Sequence, residues 1–251
     1  MKRPFFHLCV LAVVFFTAFL LPSCGGGGKN DLSIGIDPNW YPQNFQGKEV
    51  YVNGFIEELL LEISRHSGLE FSKIGTSWDS LYDNLKRHRY DAVISSLPAY
   101  NFNAAQYDFS KNVLDIGSVL VVSTTGQQKS MKDMEKQFVG VMSGEQALLI
   151  MQKYPEVFTR TYLSAPEIFE AVASHEVEGI VVDRLLAVSY VQGSYAQKLK
   201  IVGSPLSDSG LHFVVMKDEN PHAIQVLNKS IDYLIKKKKL QKLQKKWNLA
   251  P

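Results

Sequence analysis

The stretch that decides the fold is Tyr90-Asp91-Ala92-Val93-Ile94-Ser95-Ser96-Leu97. A short apolar run ends in two hydroxyl side chains, which indicates a buried strand that opens into a polar loop. Upstream, Leu32–Ile36 has the pattern of a strand, and Gly54–Ser67 carries apolar residues at helical spacing. Ser77 is placed to begin another helix as its N-cap. The buried strand therefore belongs to a strand-and-helix alternation.

The same alternation restarts downstream and continues to the end of the chain. Strands are predicted at Ile116–Ser123, Phe138–Met142, Gly179–Val182 and Leu211–Met216. Helices are predicted at Gly144–Lys153, Pro166–Ser174, Asp183–Val191 and, with possible breaks, Pro221–Trp247. This order predicts an α/β fold with a mostly parallel sheet.

The N-terminus has the pattern of an export signal. Lys2 and Arg3 precede an almost wholly apolar run, and Leu21-Pro22-Ser23-Cys24 closes it. The last four residues resemble the bacterial lipobox, which implies a signal peptide over 1–23 and a lipid, such as palmitate, on Cys24. Residues 24–30 are then the lipid anchor and a glycine-rich tether. An uncleaved anchor helix is the alternative.

Composition and charge exclude several classes of protein. Hydrophobic residues make up 45% of the 251 residues, which is enough for a sizeable core. Without Lys2 and Arg3 the chain has 25 basic and 25 acidic residues, so no global positive field favours a nucleic-acid partner. The lysine run at 236–239 indicates a solvated helix face, with weak contact to anionic headgroups as the alternative.

Eight stretches in one order resemble the bacterial extracellular solute-binding proteins of family 3, the polar amino-acid-binding components of ABC transporters. They are Ile34–Pro42, Gly54-Phe55, Trp78–Leu81, Tyr90–Leu97, Asp108–Ser110, Val139–Gly144, Glu178–Asp183 and Lys245–Trp247. The resemblance implies the two-lobed periplasmic binding protein fold (type 2) with two crossover hinge strands, near Leu114–Ser118 and Ser207–Gly210. Lobe one would comprise 31–114 and 209–251, and lobe two 115–208.

The resemblance also implies the positions that meet a ligand between the lobes. Trp40 and Trp78 would stack on its side chain, Ser95 and Ser96 would offer hydroxyl groups, and Asp183 would bind its ammonium. The remaining predicted positions are Asp37, Pro98, Asn103, Met142, Glu145 and Gln146. Alternatives remain for each type of residue: a tryptophan in the core, a serine in local turn bonding, and Asp183 as the cap of the following helix.

Three positions depart from the family pattern. An arginine that clamps the ligand carboxylate in the family is replaced by Asn103, and a serine or threonine donor by Pro98. Glu145 adds an acid where the family has a serine or threonine. Since Asp37, Glu145 and Asp183 would surround the cleft, we expect a cationic amino acid or related amine. The alternative is that Lys111 or Arg184 restores the clamp.

The expected function is a monomeric, lipid-anchored binding protein on the periplasmic side of a bacterial membrane, which delivers its ligand to an ABC permease. No cofactor is expected. Spacing of the histidines favours neither a metal site nor a catalytic set, so they are interpreted as scattered surface residues. A ligand sensor or orphan receptor is one alternative. An enzyme resembling cyclohexadienyl dehydratase is another, although its carboxylate-binding arginine is missing.

Overall fold

The computed structural model describes residues 30–41, 43, 45, 47–143 and 147–250. The predicted signal, Cys24, most of the tether, Glu145 and Gln146 lie outside the described residues. From Leu32 onward the chain forms one compact unit. Its strands form two sheets, and each sheet has its own apolar core.

The first sheet contains six strands in the order β2-β1-β3-β11-β4, with β5 paired to β11. Its strands are β1 (Asp31–Ile36), β2 (Glu70–Gly75), β3 (Ala92–Ser95), β4 (Tyr107–Phe109), β5 (Leu114–Asp115) and β11 (Gly210–Met216). The helices of this part are α1 (Glu49–Ser67), α2 (Trp78–Lys86), α3 (Asn101–Ala104), α7 (Pro221–Lys236) and α8 (Lys239–Lys246). We call this part lobe one.

The second sheet contains five strands in the order β10-β6-β9-β7-β8. They are β6 (Ser118–Ser123), β7 (Phe138–Met142), β8 (Phe158–Tyr162), β9 (Gly179–Asp183) and β10 (Leu199–Val202). Around them lie a 3-10 helix (Met131–Met134) and the helices α4 (Ala147–Met151), α5 (Ala165–Ala173) and α6 (Arg184–Gln192). We call this part lobe two.

Strand directions correct the prediction of a mostly parallel sheet. Parallel pairing joins β1 to β3, β7 to β8 and β7 to β9. The strands that follow each passage between the lobes, β6 and β11, pair antiparallel with all their described neighbours. A helical crossover produces parallel neighbours, whereas a strand that enters from the other lobe carries no such constraint. Both sheets are therefore mixed.

The two passages between the lobes are in direct contact. A Cβ added at Gly117 would lie 2.2 Å from Ser207 Oγ, so the first passage needs glycine at this crossing. The side chain of Asn112 also joins them, since its Nδ2 donates to Asp115 Oδ1 at 3.1 Å and to the Asp208 carbonyl at 3.2 Å. The predicted lobe boundaries at 114 and 209 stay predictions, and both fall within this contact region.

Candidate ligand-binding site

Asp37 follows β1 and holds the first loop against the start of α2. Its side chain is 6% exposed. The Asn39 N–H donates to Oδ1 at 2.9 Å, and the Trp78 N–H donates to Oδ2 at 3.2 Å. The carboxylate thereby satisfies a free donor of the first helical turn, which is where a negative charge is favourable. Asp37 thus positions Trp78 as well as lining the site.

Trp40 lies in the core of lobe one and has little free surface for a ligand. The residue is 3% exposed, and its Nε1 donates to Asn53 Oδ1 at 2.8 Å. Its ring centroid is 6.2 Å from that of Phe45. The backbone has a φ of 61°, a left-handed conformation that few residues other than glycine adopt. This bend turns the indole inward.

Tyr41 follows this bend and is exposed to solvent, and it was not among the positions predicted from the sequence to meet a ligand. It is 60% exposed, and its ring centroid lies 6.3 Å from that of Trp78 at an interplanar angle of 65°. Trp78 is half-buried and meets Tyr82 edge-on at 5.3 Å. Tyr41 and Trp78 therefore form an open aromatic corner.

The two serines at the end of β3 differ in their surroundings: Ser95 is hydrogen-bonded within lobe one, and Ser96 lies on the surface of a cavity. Ser95 is 3% exposed, and its Oγ accepts from the Tyr82 hydroxyl at 2.6 Å and from the Leu97 N–H at 3.3 Å. Burial raises the pKa of the Tyr82 hydroxyl, which stays a donor. The Ser95 Oγ is thus engaged locally, as the turn-bonding alternative predicts. Ser96 lines two neighbouring cavities.

Five predicted residues meet at a small cavity of about 10 Å³ at the ends of β1 and β3. They are Asp37, Trp40, Trp78, Ser95 and Ser96. Tyr41 lines the same cavity. The carboxyl ends of neighbouring parallel strands meet at one edge, which is where open α/β sheets bind ligands. The cavity is narrow, and its described lining residues all belong to lobe one.

The position that carries the family's clamp is tied into the loop that follows β3. Asn103 is 8% exposed, and its Nδ2 donates to the Pro98 carbonyl at 2.8 Å. This bond closes the loop from Pro98 to α3 on itself. An amide used in this way cannot replace a bidentate guanidinium for a carboxylate. Lys111 forms an ion pair with Asp232 at 2.5 Å, so its ammonium is engaged at the surface.

In lobe two, Asp183 ends β9 and Met142 ends β7. Asp183 is exposed to solvent, and its Oδ1 accepts from Ser118 Oγ at 3.5 Å. Neighbouring protein atoms partly desolvate the carboxyl, and this desolvation raises its pKa more than the Ser118 bond lowers it. Asp183 occupies the N-cap position of α6, but its side chain makes no capping hydrogen bond there. Met142 is half-buried against the core of lobe two.

His212 is buried, which corrects the interpretation of the histidines as surface residues. It is 5% exposed in β11, opposite Ser95. Its Nε2 donates to the Leu97 carbonyl at 2.8 Å, because a carbonyl oxygen can only accept. Its Nδ1 lies 3.1 Å from Asn112 Oδ1. His212 thus joins the ligand loop to the passages between the lobes, and burial lowers the pKa of its ring.

A larger cavity of about 670 Å³ adjoins the first at Ser96. It lies between the loop after β3, residues 109–112, residues 205–210 and Lys153 of lobe two. Among the described residues, no three His, Cys, Asp or Glu side chains are grouped so that they could hold a metal ion. None of the helices described is both long and apolar enough to cross a membrane.

The family follows from comparison with known proteins. Residues 32–250 match the model of the bacterial extracellular solute-binding proteins, family 3. This chain belongs to that family. The match covers both lobes, and it confirms the resemblance inferred from the eight stretches.

Relatives of this family-3 chain carry names from amino-acid transport. The L-cystine-binding protein TcyJ of Escherichia coli is 27% identical over 224 residues, which are 87% of this chain and 83% of the relative. The arginine-binding extracellular protein ArtP of Bacillus subtilis is 23% identical, over 95% of this chain and 96% of the relative.

Solved structures confirm the type 2 periplasmic binding protein fold. The unliganded, open L-cystine solute receptor of Neisseria gonorrhoeae superposes with a TM-score of 0.67 at 19% identity, over 88% of this chain and 93% of the receptor. An ancestral cyclohexadienyl dehydratase superposes equally well, with a TM-score of 0.67 at 18% identity, over 87% and 92% of the two chains. The fold therefore serves binding proteins and also an enzyme.

Proposed function

We propose that this chain is the substrate-binding component of an ABC importer, which captures an amino acid or related amine between its lobes and delivers it to a permease. Family membership supports a solute-binding role, and relatives named for cystine, arginine and histidine support amino-acid-like ligands. The proposal includes a monomer that acts on the periplasmic side of the membrane.

The bond from Asn103 to the Pro98 carbonyl is the observation that supports a cationic ligand. The clamp position carries no charge, and its amide is already engaged. Asp37 and Asp183 contribute carboxylates from the two lobes. Buried or partly desolvated acids without basic partners are costly, so a ligand with a positive group compensates them. We therefore expect L-arginine, L-lysine or a related amine to bind better than an anionic amino acid.

Calorimetry tests this ligand class with L-arginine, L-lysine, L-cystine, L-glutamine and L-glutamate on the purified protein. We expect the tightest binding from a basic amino acid. Asp183→Asn should weaken that binding roughly ten- to hundredfold, because a charge-assisted bond is lost. Asp83→Asn, an exposed acid on α2, is the matched control. Tightest binding of L-glutamate would refute the charge argument.

A lipid anchor on Cys24 is the second part of the proposal. It is supported by the sequence Leu21–Cys24 and by the glycines that follow. Labelling with a fatty-acid analogue should mark the wild-type protein and not Cys24→Ala. Equal labelling of both proteins would contradict lipidation at this residue.

Two alternatives differ in what happens to the ligand. A sensor of the same fold would bind without delivering, and uptake assays in cells with and without the protein distinguish the two. The dehydratase alternative is motivated by the ancestral enzyme of the same fold. It requires turnover of prephenate or arogenate, and we expect none, because Asn103 replaces the carboxylate-binding arginine of such enzymes.

A further inference from the structure

We propose that the cavity of about 670 Å³ next to Ser96 is a second compartment of the ligand site, and that Lys153 binds an anionic group of the ligand there. This inference rests on the proposed binding function. It assigns the carboxylate-binding role, which Asn103 does not fill in lobe one, to a lysine of lobe two.

The position and size of the cavity suit a ligand that extends past the serine pair. Ser96 lines both cavities, so the second compartment is adjacent to the first. Both lobes contribute walls, since Pro98 and Tyr100 of lobe one and Lys153 and Leu206 of lobe two line it. Its volume lies within the roughly 300–1,000 Å³ of small-molecule pockets. A ligand here would contact both lobes at once.

The charges of the lining favour an anionic group. Lys153 lies shortly after α4, is exposed, and forms no ion pair with any residue described by the structure. Lys111 also lines the cavity, but Asp232 engages its ammonium. The acid of the lining is Asp208, an exposed residue whose backbone carbonyl is tied to Asn112. Lys153 is thus the cation with an unengaged ammonium among the described lining residues.

The two compartments together match a zwitterionic ligand with an additional cationic end. Asp37 lines the first compartment and attracts a positive group, whereas Lys153 lines the second and attracts a carboxylate. Ser96 and Ser209 line the second compartment and carry hydroxyl groups that can donate to the same carboxylate. A basic amino acid has this charge pattern, and its decarboxylated amine does not.

Paired ligands test the assignment. L-arginine and agmatine differ in the carboxylate alone, and calorimetry measures both on wild-type protein, Lys153→Gln and the control Lys132→Gln. Lys132 is an exposed lysine of the 3-10 helix in the same lobe. We expect Lys153→Gln to weaken the binding of L-arginine roughly ten- to hundredfold and the binding of agmatine less than about twofold. Lys132→Gln should change neither.

An equal loss of affinity for both ligands, or no loss of affinity for L-arginine, would overturn the role of Lys153. If wild-type protein binds neither probe, the basic-ligand part of the proposed function fails. The second compartment is then judged by mass spectrometry of the copurifying molecule. An acidic group on that molecule and its loss from Lys153→Gln would support the compartment, whereas a molecule without an acidic group, or its retention by Lys153→Gln, would overturn it.

Discussion

Tyr41 and Trp40 show how neighbouring aromatic residues acquire opposite roles. The family pattern favours Trp40, because it stands three residues after Asp37. The left-handed backbone at Trp40 directs its ring into the core, where Asn53 binds the indole N–H. Tyr41 remains exposed beside Trp78. A pattern of residue types cannot distinguish the two, because one dihedral angle decides which ring faces the solvent.

We predict that Tyr41→Ala weakens L-arginine binding roughly two- to thirtyfold, the value of a cation–π or stacking contact of about 0.5–2 kcal/mol. Its melting temperature should stay unchanged, since the side chain is exposed. Tyr51→Ala, which removes an exposed tyrosine from α1, is the calorimetric control. Unchanged binding by Tyr41→Ala would show that the aromatic corner lies outside the site.

In contrast to Tyr41→Ala, Trp40→Phe should lower the stability of the protein more than its affinity for the ligand. The partly buried Asn53 Oδ1 loses its donor, and leaving such an acceptor unsatisfied costs up to about 1–3 kcal/mol of unfolding free energy. We expect a lower denaturation midpoint and a change in affinity smaller than that of Tyr41→Ala.

His212 gives the stability a predictable dependence on pH. Burial lowers the pKa of its ring in the folded protein by more than the hydrogen bond to the Leu97 carbonyl raises it. The unfolded chain, with a histidine pKa of about 6.5, then binds more protons than the folded chain below that pH. The contribution of neutral His212 is therefore fully present above about pH 6.5 and is lost as the pH falls toward the folded pKa.

We predict that His212→Phe is about 1–3 kcal/mol less stable than wild type at pH 7, because the Leu97 carbonyl loses its donor. The difference should shrink between pH 7 and pH 5 in urea denaturation. His175→Gln, which changes an exposed histidine of lobe two, should show no such trend. A difference between wild type and His212→Phe that is constant with pH would contradict a neutral buried ring.

At the scale of elements, the contact between α1 and the end of α8 explains two stretches of the family pattern together. Gly54 lies inside α1, where alanine would favour the helix by about 1 kcal/mol. A Cβ at this position would lie 2.2 Å from Cη2 of Trp247, so the helix accepts glycine to make room for the indole. The Gly54-Phe55 stretch and the C-terminal Lys245–Trp247 stretch therefore pack against each other in one contact.

We predict that Gly54→Ala lowers the unfolding free energy by about 1–3 kcal/mol, because the ring must shift in a filled space. In a Trp247→Leu background the same substitution should be neutral or stabilising, since the obstacle is gone and helix propensity remains. The double-mutant cycle measured by denaturation isolates this coupling. Additive effects of the two substitutions would show that the contact does not limit residue 54.

The element boundaries follow local chemistry where the chain provides it. The predicted strand Phe138–Met142 has the observed bounds, and the C-terminal helical stretch breaks at Lys237 and Lys238, where Lys238 has a φ of 56°. The short strands β4, β5 and β10 and the edge strands β2 and β8 were not predicted. They lack a strong period, and pairing with distant strands stabilises them.

At the scale of the whole molecule, we predict that the lobes move as rigid bodies about the two contacting passages. Gly117 against Ser207 and the bonds of Asn112 hold the passages together. Each sheet has its own core, and Leu185 of lobe two also packs into the core of lobe one. A ligand that contacts both lobes stabilises the state in which they are closer. Lys153 and Asp183 of lobe two would face lobe one in that state.

We predict that saturating L-arginine reduces the radius of gyration in small-angle X-ray scattering. Asp183→Asn at the same ligand concentration should remain at the unliganded radius until enough ligand is added to overcome its weaker affinity. An unchanged radius of the wild type at proven saturation would contradict closure of the lobes.

The sequence by itself determined the α/β alternation of the main strands and helices, the family and the absence of an arginine at position 103. These properties depend on local periodicity, on turn residues and on residue identity, all of which are present in the linear chain. The tertiary structure alone decided the mixed strand directions, the burial of Trp40 and His212, and the bond that engages Asn103. Each of these features depends on atoms far apart in the sequence or on one backbone angle. Long-range contacts and single backbone angles have no signature in residue type and spacing.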